Sequence, residues 1–459
     1  MARTSALFEL SANDLAAGIA AGEYTSEQAI EACLARIGEV DPEVDAWAFL
    51  DPDFARQQAR TADRHRGTGR PLGPLHGVPV GLKDIIDTRA MPTENGTVLD
   101  AGRRPDRDAA IVSRLKAAGA VILGKTVTTE LAYFAPSKTR NPHHPERTPG
   151  GSSSGSAAAV AARMVPLAVG TQTNGSVIRP AAFCGLVGFK PTFGLIPRTG
   201  ILAQCWHLDT VGVFARSVAD AALLAECLIG HDDGDRATAP VAAQGLPGAV
   251  DAAPPLPPLF AFVESPVWDQ AEADTKAGFA ELADALGDQC DRIDLPELFG
   301  RGHDLHRTLM TAGFSYNLGG YYNRGKDRLS PHMREAIEDG RKVLAHDYLA
   351  AADWIEVLNA GLERIFERYD AIVTPAAPGE APHGLETTGN PAFCTLWTLC
   401  GTPAVTLPLL QGANGMPIGV QLVGRRGYDA RLLRTAHWLV NHVNATTKTA
   451  AREPAHHAG

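Results

Sequence analysis

The sequence contains little of what marks a membrane protein or a nucleic-acid-binding protein. Its longest apolar run, 157–170, is interrupted by Arg163 and is shorter than the roughly 20 residues that span a bilayer. The first residues show no basic segment followed by an apolar one, as a secretory signal would. Acidic residues outnumber basic ones by 52 to 42, and no basic cluster suited to phosphate groups is present. We therefore expect a cytoplasmic protein that acts on a small molecule, with neither a membrane nor a nucleic acid as partner.

Cysteine is also sparse. Seven cysteines are scattered singly, without a C-x-x-C pair, which argues against a disulfide framework and against a zinc site. The two histidine pairs, His143-His144 and His456-His457, are adjacent residues and lack the i,i+4 spacing that places two ligands on one helix face. The sequence therefore predicts no metal site.

What the chain does have is a hydrophobic fraction of 45%, arranged in alternating helix and strand patterns. Apolar residues at helical spacing predict N-terminal helices over about 10–62. Further along, an amphipathic helix is expected at 106–120, and strands are expected at 120–125, 165–171, 259–265, 371–376, 404–410 and 418–424. Such alternation is typical of an α/β fold. We predict one large domain over 1–445, on which the N-terminal helices pack, and a disordered tail over 446–459.

Two short motifs match known site patterns but lack the structural setting that those sites need. GAVILGKT (119–126) fits the P-loop pattern, yet its four variable residues belong to the apolar strand and cannot wrap a phosphate. GSSSG (151–155) fits the G-x-S-x-G nucleophile elbow with Ser153 at its tip, but Pro149 precedes it where the elbow requires a strand. A helix N terminus rich in capping serines is the alternative interpretation of this loop.

Three separated segments carry a more specific pattern together. GVPVGLKD (77–84) places Lys83 after an apolar strand, where a lone lysine would simply extend to solvent. Ser152 lies 69 residues later, and Ser176 follows after another 24 residues in the turn GTQTNGSVIRP. In order and spacing these segments resemble the amidase signature family, and similar flanking segments extend the resemblance over roughly residues 10–440.

The resemblance implies an α/β domain built on a central mixed β-sheet covered by helices, with a Ser-cisSer-Lys triad. Ser176 would be the nucleophile, Ser152, after a cis peptide bond, the proton relay, and Lys83 the base. Burial would have to lower the pKa of Lys83 from about 10.4 so that its amine is neutral. Backbone N–H groups of the turn would hold the oxyanion, at Thr173, Asn174, Gly175 and Ser176. Such chemistry needs neither a metal nor an organic cofactor.

The nucleophile turn departs from the commonest family form, G-T-D-T-G-G-S-I-R-x-P. Gln172 replaces its acid and Asn174 replaces a glycine. Ile178 occupies the position where the common form has its arginine, and this chain has an arginine at the next position, Arg179. Because the usual acid and arginine brace the turn, we predict a different brace here that uses Gln172 with Arg179, and we expect activity to survive.

The substrate is less strongly indicated than the chemistry. Segment 310–325 is expected to shape the pocket, with helix packing as the alternative role for its aromatic residues. The side chains in question are Phe314, Tyr316, Asn317, Tyr321, Tyr322 and Asn323. They would suit a small to medium carboxylic amide, including an aryl amide, and a carbamate or ester fits the same chemistry.

The glutamine-hydrolysing A-type subunits of amidotransferases in this family carry an aspartate about ten residues before the glycine of a G-x-P segment. Here that position is Pro391, counted back from Gly401, and no acid lies between Glu386 and Gly401. We therefore predict a self-sufficient amidase that forms an acyl-enzyme. The alternative is an amidotransferase A-type subunit or a non-catalytic subunit of a complex, and a homodimer is left open.

Overall fold

One eleven-stranded sheet runs through the computed structural model, which describes residues 7–450, with side chains described to residue 445. The strands are β1 (Trp47–Leu50), β2 (Pro79–Lys83), β3 (Val121–Thr126), β4 (Leu167–Gln172), β5 (Val187–Lys190), β6 (Thr210–Ala215), β7 (Phe260–Val263), β8 (Cys290–Ile293), β9 (Ala371–Pro375), β10 (Ala404–Gln411) and β11 (Pro417–Val423). Their spatial order is β1-β3-β2-β4-β6-β5-β10-β11-β9-β7-β8. Parallel pairs such as β2 with β4 occur beside antiparallel pairs such as β4 with β6. The mixed sheet expected from the sequence is confirmed.

Helices cover both faces of this sheet. They are α1 (Ala12–Ala21), α2 (Ser26–Val44), α3 (Pro52–Arg66), α4 (Ala110–Ala117), α5 (Ser154–Ala161), α6 (Ile178–Phe183), α7 (Val218–Leu228), α8 (Leu246–Asp251), α9 (Ala273–Leu286), α10 (Gly302–Asn317), α11 (Gly319–Gly325), α12 (Pro331–Gly340), α13 (Ala345–Phe366), α14 (Ala392–Leu399) and α15 (Asp429–Ala450). Neighbouring residues of one strand enter different cores, as a side-chain period of two requires. In β9, Ala371 and Val373 pack in one hydrophobic cluster and Ile372 in another.

At both ends of the described residues, helices pack against or extend this domain. In the N-terminal helices, the Asn13 backbone N–H and Nδ2 donate to Asp220 Oδ1 at 3.0 and 2.7 Å, which joins α1 to α7. At the other end, α15 continues through 446–450, the first part of the predicted tail. The rest of that tail, with His456-His457, lies outside the described residues.

The segment that fits the P-loop pattern is an interior strand. All of β3 is buried, and Lys125 Nζ lies 2.7 Å from the Ile86 carbonyl oxygen and 2.6 Å from Thr93 Oγ1. Asp84 Oδ1 is 3.4 Å from the same ammonium nitrogen. Lys125 thus binds buried groups of the protein itself. No loop at this segment encloses a space that could hold a phosphate group, as the sequence predicts.

Within residues 7–450, no helix is both long enough and apolar enough to cross a membrane.

Candidate active site

Two parallel strands bring the candidate lysine to its partners. Lys83 is the last residue of β2, and β2 pairs in parallel with β4, so the carboxyl ends of both strands meet at one edge. There Lys83 Nζ lies 2.7 Å from Ser152 Oγ and 2.9 Å from Thr171 Oγ1. Thr171 was not among the predicted site residues, although the quoted turn segment contains it. Its position one strand away from Lys83 follows from the pairing of the strands.

The surroundings of Lys83 favour a neutral amine. The side chain is fully buried, and burial holds the pKa of Lys83 well below its usual value, because an ammonium loses its hydration there. The Asp209 carboxylate raises that pKa, but to a smaller extent than burial lowers it. Among the described residues, no carboxylate forms an ion pair with Lys83. A neutral amine at this position can accept a proton from Ser152 Oγ.

The serine loop presents Ser152, and not Ser153, to the lysine. The Gly151–Ser152 peptide bond is cis, as the family resemblance implies. Ser153 Oγ instead donates to the Thr171 carbonyl oxygen at 3.2 Å and is buried. Ser153 occupies the residue before α5 without capping the helix through its side chain. It therefore packs the loop against β4 and lacks the exposure of an elbow nucleophile.

Ser176 lies in the turn between β4 and α6. Within residues 7–450 its Oγ has no hydrogen-bond partner, and the backbone N–H groups of residues 174–176 have no acceptor. The structure thus joins Lys83 to Ser152 but does not join Ser176 to Ser152. The turn offers a free hydroxyl together with free backbone donors, the combination that holds an oxyanion beside a nucleophile.

Gln172 braces this turn. Its Oε1 accepts hydrogen bonds from the backbone N–H groups of Val177 and Ile178 at 2.8 and 3.0 Å. Its Nε2 donates to Thr398 Oγ1 at 2.9 Å. The prediction that Gln172 braces the turn is therefore confirmed. The prediction that Arg179 braces the turn with it is wrong, because the Arg179 side chain donates to the serine loop instead.

Distant elements hold the same turn through contacts that no local motif marks. Nε2 of His306, in α10, lies 2.9 Å from the Thr173 carbonyl oxygen. Burial lowers the pKa of His306 to about 4, so its imidazole is neutral at neutral pH. Thr173 Oγ1 donates to Asp209 Oδ1 at 2.6 Å. Thr395 in α14 donates to Asn174 Oδ1 at 2.7 Å.

A small cavity of about 20 Å³ lies beside Ser176, and it shares lining residues with a larger cleft of about 540 Å³. Of the six predicted pocket residues, only Phe314 lines the small cavity. Tyr321 and Tyr322 instead donate to Asp100 and Glu338 at 2.6 Å each, and Tyr316 is 81% exposed. The other lining residues are Ala132, Tyr133, Phe134, Thr173, Asn174, Gly175, Arg179, Gln204, Met310 and Pro391.

The described part of the chain contains no group of three or more His, Cys, Asp and Glu side chains placed to hold a metal ion. The site is built instead from hydroxyl, amine and backbone amide groups, which suit acyl transfer through a serine.

Comparisons with known proteins agree on the family. The family model "Amidase" matches residues 28–433. The A-type subunit of glutamyl-tRNA(Gln) amidotransferase from Chloroflexus aurantiacus (strain ATCC 29366 / DSM 635 / J-10-fl) is 36% identical to this chain, over 93% of this chain and 95% of the relative. The protein of the same name from Salinispora arenicola (strain CNS-205) is 35% identical, over 97% and 99%. These names agree better with the amidotransferase alternative than with a self-sufficient amidase.

Similar solved structures include enzymes named as amidases and hydrolases. The structure of 6-aminohexanoate cyclic dimer hydrolase matches with a TM-score of 0.84 and 28% identity, over 98% of this chain and 99% of that chain. Peptide amidase from Stenotrophomonas maltophilia matches with a TM-score of 0.83 and 31% identity, over 95% and 97%. This chain belongs to the amidase signature family and is an enzyme that acts on the carbon–nitrogen bonds of amides.

Proposed function

We propose that this protein hydrolyses a small to medium carboxylic amide through an acyl-enzyme, with Ser176 as nucleophile, Ser152 as proton relay and Lys83 as base. The observation that carries the proposal is the 2.7 Å contact between Lys83 Nζ and Ser152 Oγ. A lysine with only a structural role would extend to water, pair its charge or donate to carbonyl oxygens, as buried Lys190 does to those of Pro191 and Thr402. A buried lysine held between two hydroxyl groups without a counter-ion is suited to accept a proton.

In the first half of the reaction, Ser176 Oγ attacks the carbonyl carbon while its proton passes to Ser152 Oγ, whose own proton passes to Lys83 Nζ. The backbone N–H groups of the turn, at Thr173, Asn174, Gly175 and Ser176, donate to the developing oxyanion. The carbon–nitrogen bond then breaks, and Lys83 returns the proton through Ser152 to the departing nitrogen. Ammonia or an amine leaves, and the acyl group stays on Ser176.

In the second half, water attacks the acyl carbon and gives up a proton to Lys83 through Ser152. When the ester bond breaks, the proton returns to Ser176 Oγ and the carboxylic acid is released. Both halves require Ser176 Oγ to lie close to Ser152 Oγ, and the absence of any other hydrogen bond to Ser176 Oγ among the described residues leaves its side chain free to adopt that orientation. Catalytic hydrogen bonds commonly tighten only when substrate binds.

A second candidate function is supported by the names of the curated relatives. An amidotransferase A-type subunit would use the same chemistry to release ammonia from glutamine for a partner protein. One observation stands against it: Pro391, at the position where such subunits carry an aspartate, lines the cavity beside Ser176. No residue lining that small cavity is acidic, and the acids of the larger cleft, Glu335 and Asp339, do not occupy the position where such subunits carry their aspartate.

The two candidates differ in what the isolated chain does. We expect it to hydrolyse members of a panel of aliphatic amides, anilides and carbamates, and to hydrolyse L-glutamine poorly. We also expect a fluorophosphonate probe to form one adduct at Ser176. Ser176→Ala should remove both the adduct and the activity, whereas Ser113→Ala, at an exposed serine of α4, should retain both.

If glutamine hydrolysis requires an added partner protein, that result would favour the alternative function, an amidotransferase A-type subunit. If the folded protein forms no adduct at Ser176 and hydrolyses no substrate of the panel, the proposed function is overturned and a non-catalytic member of the family is left.

A further inference from the structure

The orientation of the Gln172 side-chain amide is fixed by its neighbours. One end of the amide accepts hydrogen bonds from the backbone N–H groups of Val177 and Ile178 at 2.8 and 3.0 Å. Backbone N–H groups only donate, so the atom that receives both of them is the amide oxygen, Oε1. The other end, Nε2, therefore points to Thr398 Oγ1, which lies 2.9 Å away. Gln172 is thus a hydrogen-bond donor to the Thr398 hydroxyl.

The direction of this hydrogen bond determines what the Thr398 hydroxyl does. Its oxygen accepts from Gln172, so its single proton is available for another acceptor. The Asn174 carbonyl oxygen lies 2.5 Å from Thr398 Oγ1, and among the described residues it accepts no other hydrogen bond. Gln172 and Thr398 are each only 1% exposed, which leaves water little access to either. The hydrogen bonds therefore run in one direction, from Gln172 through Thr398 to the Asn174 carbonyl.

The Asn174 carbonyl belongs to the same peptide unit as the N–H group of Gly175. This unit is trans, since the cis peptide bond of the described chain is Gly151–Ser152. In a trans unit the C=O and N–H bonds lie in one plane and point in opposite directions. A donor on the carbonyl oxygen thus fixes the direction of the Gly175 N–H group, and successive hydrogen bonds polarise one another. That N–H group has no acceptor within residues 7–450.

The preceding peptide unit is held in the same way. His306 Nε2 lies 2.9 Å from the Thr173 carbonyl oxygen, and a carbonyl oxygen only accepts, so Nε2 carries the proton. The N–H group of that unit belongs to Asn174. Two successive peptide units thus receive side-chain donors on their carbonyl oxygens and keep their N–H groups free. This repetition indicates that the contacts serve the two N–H groups as well as the two carbonyl oxygens.

We propose that Gln172 and Thr398 are positioning residues that aim the Gly175 N–H group at the oxyanion and strengthen it as a donor. This assignment rests on the proposed function, in which the oxyanion forms at the same turn. It also gives a role to the glutamine that stands where the commonest family form has an acid. A carboxylate has no proton to donate and would take the proton of the Thr398 hydroxyl, which would leave the Asn174 carbonyl oxygen without its donor.

Two substitutions at position 398 separate a donor from a side chain that only fills space. Thr398→Val keeps the shape and loses the hydroxyl, whereas Thr398→Ser keeps the hydroxyl and loses a methyl group. For the amide that the wild type hydrolyses fastest, we expect Thr398→Val to lower kcat by about 10-fold, less than the roughly 10²- to 10³-fold cost of losing an oxyanion donor outright. KM should change little, because the oxyanion develops only in the transition state.

Two further proteins complete this comparison. Thr398→Ser should retain kcat within about 3-fold of the wild type, since it can still donate to the Asn174 carbonyl oxygen. The matched control is Thr275→Val, at a buried threonine of α9 whose hydroxyl has no partner among the described residues. It should retain the wild-type kcat. If Thr398 only fills space, Thr398→Val will instead be at least as active as Thr398→Ser, and the inference will be overturned.

Gln172→Glu tests the first hydrogen bond of the chain. It keeps an acceptor for the N–H groups of Val177 and Ile178 but removes the donor to Thr398, and kcat should fall by about 10-fold. If the two residues act in one chain, Gln172→Glu/Thr398→Val should be no slower than the slower single variant. Losses that multiply in the double variant would overturn the inference. All rates are measured below the unfolding midpoint of every variant, so that a lower kcat does not report unfolded protein.

The rate of fluorophosphonate labelling at Ser176 provides a readout that needs no choice of amide, because phosphonylation also builds negative charge on an oxygen beside the nucleophile. Labelling should be slower in Thr398→Val and Gln172→Glu and near the wild-type rate in Thr398→Ser and Thr275→Val. If Thr398→Val labels and hydrolyses as the wild type does, the inference is overturned and the proposed function stands. A folded wild type that hydrolyses no amide and forms no adduct would overturn both.

Discussion

A lysine ammonium group in water has a pKa of about 10.4 and cannot act as a base at neutral pH. At Lys83 the surrounding protein changes this property, because the side chain is fully buried and its pKa is held well below the usual value. Ser152 Oγ and Thr171 Oγ1 lie within hydrogen-bond distance of its nitrogen. These hydroxyl groups satisfy a neutral amine as well as a charged one, so the polar contacts do not force protonation.

This environment predicts the pH dependence of the reaction. Protonated Lys83 cannot accept a proton, so kcat/KM should fall as pH decreases through the lowered pKa of Lys83 and should level off above it, well below 10.5. Lys83→Ala should lower kcat by about 10²- to 10⁴-fold. Initial rates measured across pH on the wild type, Lys83→Ala and the exposed-site control Lys116→Ala check both expectations.

Two results would assign the base to another group. One is a wild-type profile that rises only near the pKa of an ordinary lysine, and the other is a Lys83→Ala variant with near-normal activity across pH. The Lys116→Ala control should follow the wild-type profile, since Lys116 pairs with Asp108 at the surface of α4.

The turn between β4 and α6 illustrates how secondary-structure elements position reacting groups. Its backbone is fixed by acceptors and donors from outside the turn: Gln172 at the end of β4, His306 in α10 and Thr398 in α14. Gly175 lets the turn approach α14 closely, since an added Cβ atom there would lie 2.9 Å from Pro391 Cβ. Free backbone N–H groups are thus held in place without being used by the protein itself.

Removing the brace should affect stability and catalysis together. Gln172→Ala leaves the buried N–H groups of Val177 and Ile178 without their acceptor, and we expect the free energy of unfolding to fall by about 2 kcal/mol or more. Gln172→Glu keeps an acceptor at the first turn of α6, where a negative charge is favourable. We therefore expect its free energy of unfolding to fall by less than that of Gln172→Ala. Denaturant unfolding and kcat measured on the three proteins check this order. If Gln172→Ala and Gln172→Glu lower the free energy of unfolding equally, the side-chain oxygen at position 172 does not support the turn.

Across the full chain, the eleven-stranded sheet places the site where widely separated segments meet. Lys83 ends β2, Ser176 follows β4, and His306 and Thr395 come from helices more than 100 residues later. The hydrophobic clusters likewise join early and late elements, with Leu15 of α1 and Leu433 of α15 in the same core. The site therefore depends on the folding of the domain as one unit.

The cysteines report on the integrity of this domain. Cys33, Cys184, Cys205, Cys394 and Cys400 are buried, whereas Cys227 and Cys290 are partly buried. Burial raises the pKa of the Cys33, Cys227, Cys394 and Cys400 thiols to about 12, which suppresses the reactive thiolate, so only their partial exposure sets Cys227 and Cys290 apart. We expect iodoacetamide to add at most two groups to the native protein, at Cys227 and Cys290, and seven to the denatured protein.

Intact mass spectrometry measures the number of adducts. The variant Cys227→Ser/Cys290→Ser serves as a control and should form no adduct in the native state. Labelling of a buried cysteine in a preparation with full activity would contradict the packing described for these cores.

Periodicity predicted much of the fold because it reports local burial. The strands expected at 371–376 and 404–410 correspond closely to β9 and β10. Segment 310–325 shows the limit of such reasoning: its aromatic residues were expected at the pocket, yet Tyr321 and Tyr322 bind acidic residues elsewhere. Phe314 of this segment does line the cavity, together with Tyr133 and Phe134, and nothing in the local sequence of Tyr133 and Phe134 distinguishes them from core residues.

The order and spacing of three motifs were sufficient to nominate Lys83, Ser152 and Ser176 and to indicate the family, because members of one family keep the residue types of a site at similar spacing along the chain. Burial and long-range packing are not written in a linear pattern. The neutral state favoured for Lys83, the brace at Gln172 and the hydroxyl donor at Thr398 depend on which side chains surround each group in space. Those surroundings exist only once strands and helices distant in sequence have packed together, since desolvation and hydrogen bonding act through distance in the folded protein.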